Sequence, residues 1–161
     1  MISLIVAIAP NRVIGIDNKI PWDIKEDMLH FKAYTLNKTV LMGKNTFLSI
    51  GKALPKRRNI VVCNDDSDFN PENVEIRKDL FEVLKEYKNK DEELVVIGGG
   101  TIYKLSLPYV DEMIVSWVKK EYKGDTFFPE FENDFVVYKE EDHDEFVVKY
   151  YRRRIWNYLN R

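Results

Sequence analysis

Short apolar runs recur along this chain, and most of them are followed by a segment with helical spacing. The runs are ISLIVAIA, TVLMG, RNIVVC, ELVVIGGG and EMIVSWV. A strand that is buried on both faces is apolar at consecutive positions, because neither face meets water. Strands alternating with helices predict an α/β fold with a mostly parallel central sheet and helices on both faces. The last two runs, DFVVYKE and EFVVKYYRRR, have no helix between them and predict an antiparallel C-terminal hairpin at one edge.

Length and composition predict one folded domain over residues 1–161. The chain is 45% hydrophobic and 32% charged, a globular rather than a disordered composition. It contains neither a repeat nor a low-complexity segment that would mark a linker. The net charge of −2 gives no electrostatic case for binding nucleic acid or an anionic membrane. The basic cluster Arg152–Arg154 is interpreted as a solvated strand end.

Residues that build metal or nucleophile sites are scarce in the sequence. The single cysteine, Cys63, cannot form an internal disulfide, and its apolar neighbours favour a buried strand thiol over a nucleophile. The only histidines, His30 and His143, are too few and too far apart for a standard zinc site, and His30 is predicted to be exposed. The apolar N-terminus lacks a basic segment and is too short to span a bilayer. We therefore expect a cytoplasmic protein without a metal, and no motif indicates an oligomer.

The segment PWDIKEDMLHF predicts a helix whose apolar stripe carries an acid. Ile24, Met28 and Phe31 have the spacing of one buried stripe, and Asp27 lies on the same stripe. A carboxylate is rarely buried without a partner, because its desolvation is costly. Asp27 could pair with an internal lysine or arginine, complement the helix dipole, or accept hydrogen bonds from a cationic or amidine-like ligand in a pocket. Trp22, close to this acid and next to a long loop, favours the pocket.

Two local features surround the start of this helix. Asp23 and Glu26 have the spacing of a capping box, which predicts that the helix begins at Asp23. The preceding segment PNRVIGIDNKIPW is interpreted as a long loop. Loops of this length in compact domains are often lids or binding loops.

Glycines end two of the predicted strands directly before predicted helices. Gly98–Gly100 follow one strand, and Gly43 follows another, before a helix that opens with Lys44, Asn45 and Thr46. Helix N-termini present free N–H groups that suit phosphate, and open α/β sheets bind ligands at the carboxyl ends of their strands. The glycine run is also compatible with a simple tight turn, since it matches no standard phosphate-binding fingerprint. Arg57 is either a surface cation or a bidentate receptor for a carboxylate.

The chain resembles bacterial dihydrofolate reductases from Met1 to about Arg154. The matching motifs are ISLIVAIA, NRVIGIDNKIPW, EDMLHFK, LMGKNTFLSIGKALPKRRNIVV, VIGGGTIY and GDTFFP, in the order of that family. The resemblance implies transfer of a hydride from NADPH to C6 of dihydrofolate, with protonation at N5, giving tetrahydrofolate for one-carbon metabolism. It also implies antifolate inhibitors as ligands, and the absence of an oligomerisation motif in the sequence favours a monomer. Residues 155–161 extend past the usual end of the family.

The resemblance implies that Asp27 holds the 2-amino group and N3 of the pterin. Trp22 closes the pocket and fixes a water near this acid, and the loop from Ala9 to Ile24 is a mobile lid. Arg57 takes the glutamate α-carboxylate of the substrate. The full implied substrate set is Ile5, Ala7, Asp27, Met28, Phe31, Ile50, Lys52, Leu54, Arg57, Ile97, Tyr103 and Ser116.

The resemblance also implies a cofactor site built around the glycine run, with a cis peptide between Gly98 and Gly99. The implied set is Ala7, Val13, Ile14, Gly15, Asn18, Lys19, Gly43, Lys44, Asn45, Thr46, Cys63, Asn64, Lys78, Gly98, Gly99, Gly100, Thr101, Ile102, Tyr103 and Thr126. Several positions around the adenosine 2′-phosphate depart from the common bacterial pattern. Lys44 supplies charge without the bidentate fork of arginine, so the preference for NADPH over NADH is expected to be weaker than usual.

Three alternatives are compatible with parts of this pattern. The reductase of riboflavin biosynthesis shares the architecture and the glycine turn, but it would not need Trp22, Asp27 and Arg57 in this arrangement. A reductase of another pterin is a near variant. A non-catalytic nucleotide- or RNA-binding relative would be indicated by a lost acid or a broken glycine turn, and this sequence retains both.

Overall fold

The computed structural model describes residues 1–65 and 68–155, which form ten strands and four α-helices. The strands are β1 (Ile2–Ile8), β2 (Val13–Gly15), β3 (Thr39–Gly43), β4 (Arg58–Val62), β5 (Val74–Arg77), β6 (Leu94–Gly98), β7 (Glu112–Val118), β8 (Thr126–Phe127), β9 (Phe135–Asp142) and β10 (Phe146–Arg153). The helices are α1 (Lys25–Thr35), α2 (Lys44–Ile50), α3 (Leu80–Lys88) and α4 (Gly100–Ser106). Of the predicted C-terminal extension, all but Ile155 lies outside the described residues.

Eight strands form one sheet in the order β5-β4-β3-β6-β1-β7-β10-β9. The pairs from β5 to β7 are parallel, whereas β10 runs antiparallel to both β7 and β9. This arrangement confirms the predicted α/β class, the mostly parallel sheet and the antiparallel C-terminal edge hairpin. The apolar runs form these strands because side chains on both faces of the sheet are buried.

The core consists of two apolar clusters, one on each face of the sheet. Alternate residues of β1 divide between them, since successive side chains of a strand point to opposite faces. Leu4 and Val6 join the cluster that contains Leu84 of α3 and Tyr103 of α4. Ile5 joins the cluster that packs around α1 and α2. Helices therefore cover both faces, as predicted.

The start of α1 differs from the predicted capping box. The helix begins at Lys25, its N-cap is Ile24, and the N-cap side chain makes no capping hydrogen bond. Packing fixes this start, because the Ile24 side chain is buried in the core. Glu26 does not complete a capping box but lies 2.6 Å from Nδ1 of His143, in the β9–β10 turn. The capping-box prediction is therefore wrong.

The long loop after β1 contains regular structure that the sequence did not predict. Residues 13–15 form β2, which pairs with β8 in a separate two-stranded sheet. Beyond β2, Ile16 and Lys19 form an isolated bridge around Asp17 and Asn18, both at positive φ. The Asp125 carboxylate accepts the N–H of Asp17 at 3.0 Å. The loop after β1 is thus hydrogen-bonded to the chain around β8.

The predicted exposure of His30 is also wrong, because the imidazole is half-buried. It packs edge-on to Tyr150 of β10, with ring centroids 6.4 Å apart. The hairpin covers this side of α1, so a position that would be solvated on an isolated helix lies at an interface. Cys63 is buried, as predicted. None of the helices in residues 1–65 and 68–155 is long and apolar enough to cross a membrane.

Candidate active site

A cleft of about 1110 Å³ opens at the carboxyl ends of the parallel strands. The ends of β3, β4 and β6 border it, together with the first turns of α2 and α4 and one side of α1. This is the edge at which open α/β sheets bind ligands, as the strand-to-glycine junctions predicted. The cleft has an apolar end near α1 and a polar end near the start of α3.

Asp27 lies in the first turn of α1 and lines the apolar end of the cleft. Burial raises the pKa of its carboxyl, and this effect exceeds the opposing influence of a hydrogen bond from Ser116 and of the fields of His30 and His143. Ser116 is a buried residue of β7. Among residues 1–65 and 68–155, no lysine or arginine forms an ion pair with Asp27. Within this range an internal lysine or arginine partner is excluded. The position of Asp27, in the first turn of α1 and in the cleft wall, is compatible with both the helix-dipole and the pocket explanations.

Apolar side chains wall the cleft around this acid. Met28 and Ile50 both line the cleft, and 46% and 38% of their surfaces are exposed. The stripe pattern predicted a buried Met28, and this prediction is wrong, because the side chain lines the open cleft instead. Exposed apolar surface that is confined to a groove is typical of a ligand site. The other predicted substrate residues that line the cleft are Ile5, Ala7, Phe31, Ile97, Tyr103 and Ser116.

Tyr103 of α4 joins the two sides of the cleft floor. Its hydroxyl lies 2.8 Å from the carbonyl oxygens of both Ile5, in the middle of β1, and Ile97, near the end of β6. Burial raises the pKa of the Tyr103 phenol, so the group stays protonated and can donate to these carbonyls. The contact therefore connects α4 to two neighbouring strands of the sheet.

The glycines at the start of α4 leave little space for a side chain. A Cβ at Gly100 would lie 2.7 Å from Cγ2 of Thr126, and one at Gly99 would lie 3.1 Å from Oγ1 of Thr46. Gly99 and Gly43 are also the N-caps of α4 and α2, and they have no side chain that could accept the first-turn N–H groups. These N–H groups suit an anionic ligand such as a pyrophosphate. The Gly98–Gly99 peptide is cis, as predicted.

Five predicted site residues do not line the cleft directly. Val13 and Trp22 are buried beside it, and Trp22 packs against Tyr122 at a centroid distance of 5.2 Å. The indole Nε1 is buried and has no hydrogen-bond partner within the described part of the chain. The remaining three, on the connection from α2 to β4, are Lys52, Leu54 and Arg57.

The Arg57 guanidinium is held by three protein acceptors. Nε donates to Oγ1 of Thr35 at 3.0 Å, Nη1 donates to the carbonyl of Pro55 at 2.6 Å, and Nη2 donates to the carbonyl of Lys32. Two of these acceptors belong to the C-terminal turn of α1. The contacts give the guanidinium a fixed orientation next to the helix that carries Asp27.

The predicted cofactor residues other than Val13 all line the cleft. Beyond them, residues that sequence reasoning missed also line it: Val6, Ile20, Ser49, Val62, Asp65, Asp79, Leu80, Phe81 and Leu105. Asp79 is the N-cap of α3, where its carboxylate accepts the N–H of Phe81. Asp65 follows the end of β4, so the rule that ligands bind beyond strand ends could have indicated it.

The model of the dihydrofolate reductase family matches residues 1–158. The chain belongs to the dihydrofolate reductase family. It is 44% identical to a type 3 dihydrofolate reductase from Salmonella typhimurium over 131 residues, which cover 81% of this chain and 80% of the relative. The dihydrofolate reductase of Haemophilus influenzae is 42% identical over 145 residues, which cover 87% and 89%. A solved dihydrofolate reductase from Enterococcus faecalis, complexed with NADP(H) and RAB-propyl, has a TM-score of 0.87 at 27% identity, with 96% and 97% covered.

Membership in the dihydrofolate reductase family confirms several predictions made from the sequence. These are the family itself, the fold, the NADPH cofactor and the NADPH-dependent reduction of dihydrofolate. The comparisons do not favour the riboflavin-pathway reductase.

Proposed function

We propose that the cleft of this dihydrofolate reductase is divided into a pterin end at Asp27 and a cofactor end at the glycine run. The partly buried carboxylate of Asp27, without a lysine or arginine partner among the described residues, is the observation that carries this division. Apolar walls supplied by Met28, Phe31 and Ile50 surround it and suit a flat aromatic ligand.

Asp27 is proposed to accept paired hydrogen bonds from the 2-amino group and N3 of the pterin. Paired bonds to an ionised acid are strong and fix orientation. Burial raises the pKa of this carboxyl in the free protein, and a ligand that donates to it favours the ionised form. Ser116 supports the assignment, because its hydroxyl donates to the same carboxylate and orients it.

Trp22 is proposed to hold a water beside Asp27 through its indole N–H. The support is the buried Nε1, which lacks an acceptor within residues 1–65 and 68–155. A buried N–H without a partner is unfavourable, and a bridging water is the usual solution in a polar site. This water would deliver the proton to N5, while Asp27 favours the protonated pterin.

The glycine run, the first turns of α2 and α4, and the Lys44 and Lys78 side chains are proposed to hold NADPH. The fit rests on the glycines of this turn, which line the cleft without side chains that would project into it, and on two glycine N-caps. When bound, NADPH supplies the hydride that goes to C6 of the pterin. The lid segment that contains Asn18 and Lys19 lines the same cleft and would exclude water from this end.

Arg57 is proposed to bind the α-carboxylate of the substrate, with Lys52 and Leu54 nearby on the same connection. Its fixed guanidinium supports this role, because a pre-oriented fork loses less entropy on binding a carboxylate. Antifolate inhibitors that carry an amidine-like group are proposed to bind at Asp27. Residues 1–161 are proposed to act as a single cytoplasmic domain and as a monomer, which sedimentation velocity of the purified chain would test.

A steady-state assay tests the assignment of Asp27. Wild-type protein is expected to oxidise NADPH only when dihydrofolate is present, as followed by nicotinamide absorbance. Asp27→Asn is expected to lower kcat at neutral pH by about 100-fold or more, because the amide cannot favour pterin protonation in the same way.

The matched control is Asp23→Asn, which makes the same change at an exposed acid four residues earlier. It should retain wild-type turnover. Near-normal turnover of Asp27→Asn, from protein with wild-type circular dichroism, would remove Asp27 from the mechanism. Wild-type protein that is folded but inactive would contradict the whole proposal.

A further inference from the structure

An acid lies at the polar end of the cleft, among the residues assigned to the adenosine half of the cofactor. Asp65 lines the cleft directly beyond the end of β4. Its Oδ2 lies 3.1 Å from Nζ of Lys44, the first residue of α2. Its Oδ1 lies 3.2 Å from Sγ of Cys63, at a distance that suits a weak S–H donor. The carboxylate is therefore held beside Lys44, the cation that is the main candidate to bind the cofactor 2′-phosphate.

Among the described residues that line this end of the cleft, the formal charges cancel. Lys44 and Lys78 contribute two positive charges, and Asp65 and Asp79 contribute two negative charges. A site that selects a phosphate normally has an excess of positive charge, often from arginine. Lys44 also lies 5.0 Å from the ring centroid of Phe69, which keeps its ammonium near the cleft rim.

We propose that Asp65 sets the cofactor selectivity of this enzyme by weakening its preference for NADPH over NADH. The proposal rests on the assignment of this end of the cleft to the adenosine ribose under the proposed function. Asp65 competes with a 2′-phosphate for Lys44 and repels it as a like charge. With NADH, the same carboxylate accepts a hydrogen bond from the free ribose 2′-hydroxyl, the recognition that acidic residues provide in many NAD sites.

Asp65→Asn is the variant that tests this role. The ratio of kcat/KM for NADPH to kcat/KM for NADH is expected to rise about fivefold or more, since one like charge near a partly solvated phosphate is removed. The gain should shrink as salt is added, because the effect is electrostatic. Lys44→Ala in the Asp65→Asn background should abolish the gain.

Asp68→Asn is the matched control, because Asp68 is an exposed acid close in sequence that does not line the cleft. In Asp68→Asn, the ratio of kcat/KM for NADPH to kcat/KM for NADH should stay within about twofold of wild type, because surface charges away from a site act weakly. A ratio that is unchanged in Asp65→Asn, or that rises equally in Asp68→Asn, would overturn the proposal.

Binding affinities measured by calorimetry test the role of Asp65 independently of the proposed reaction. Adenosine 2′,5′-bisphosphate should bind Asp65→Asn more tightly than wild type, whereas adenosine 5′-monophosphate should not. An enzyme inactive with both cofactors would contradict the proposed reaction and leave this binding measurement as the test of Asp65. Equal affinity of wild type and Asp65→Asn for the bisphosphate would refute the role of Asp65.

Discussion

The Asp27 carboxylate is a titratable group whose negative charge is poorly solvated in the ligand-free protein. Burial raises its pKa, and the hydrogen bond from Ser116 offsets this only in part. The ionised form is therefore less favourable in the folded chain than in the unfolded chain. Binding residues often reduce stability in this way, because the missing interactions are the ones that a ligand supplies.

Asp27→Asn is expected to raise the melting temperature of the ligand-free protein at neutral pH. Because the folded-state pKa is raised, the penalty of the ionised acid is absent below the unfolded pKa of about 3.9. It grows as the pH rises through the interval up to the folded pKa and is complete above that value. An effect of about 1 kcal/mol corresponds to roughly 2–4 °C in a chain of this size.

Calorimetric melts of wild type and Asp27→Asn across the acidic to neutral range would check this. The difference in melting temperature should be largest at neutral pH and should disappear toward pH of about 4. Asp23→Asn, at an exposed position, should show no such trend. A less stable Asp27→Asn at neutral pH would mean that the ionised acid is well stabilised in the free protein.

Arg57→Ala is expected to raise KM for dihydrofolate by about tenfold or more, with a small effect on KM for NADPH. The fork that would bind the substrate carboxylate is lost, whereas the cofactor end of the cleft is untouched. Arg57→Lys keeps the charge without the fork and should show most of the loss. Because Arg57 also bonds Thr35 and Pro55, melting temperatures should accompany the kinetics. An unchanged KM would place the carboxylate elsewhere.

A short strand pair and a tight turn order the long loop between β1 and α1. β2 pairs with β8, and a turn at Asp17 and Asn18 with positive φ closes the adjoining bridge. Asp125 bonds both β2 and the turn that follows it. Its N–H donates to the carbonyl of Gly15, and its carboxylate accepts the N–H of Asp17. The lid is therefore connected to the chain before β8 by a few exposed hydrogen bonds, which are individually weak.

Asp125→Ala is expected to loosen the lid and slow hydride transfer several-fold. The hydrogen bond to Asp17 lowers the pKa of the Asp125 carboxyl, so the ionised group favours this contact. The amide hydrogen of Asp17 should exchange faster in the variant, and single-turnover rates should fall. Asp125→Asn keeps an oxygen acceptor and should be affected less. Wild-type exchange at Asp17 in Asp125→Ala would show that other contacts hold the lid.

Elements formed by continuous apolar runs were predictable, whereas elements that depend on distant partners were not. The strands of the large sheet that consist of apolar runs, and α2, were predicted because buried strands and glycine junctions leave local signals. β2 is three residues long and exists only because β8 pairs with it. The capping box failed for a similar reason, since burial of Ile24 decided where α1 begins.

For the whole molecule, topology decided which predicted site residues meet. The rule that ligands bind beyond the carboxyl ends of parallel strands placed Gly43 and Gly98 in one cleft before any contact was known. Local patterns could not place Asp65 against Lys44, because a contact across 21 residues depends on the order of β3 and β4 in the sheet. The burial of His30 likewise depended on the hairpin, which lies more than 100 residues away in sequence.

The contrast between the floor and the rim of the cleft also limits how this enzyme can change. At the floor, Gly99 and Gly100 have neighbours so close that an added methyl group displaces Thr46 or Thr126. At the rim, Ile20, with 57% of its surface exposed, and Met28 meet solvent on one side and can change shape at little energetic expense. Heritable variation that alters how an antifolate fits, while preserving the reaction, therefore has room at the rim and almost none at the floor.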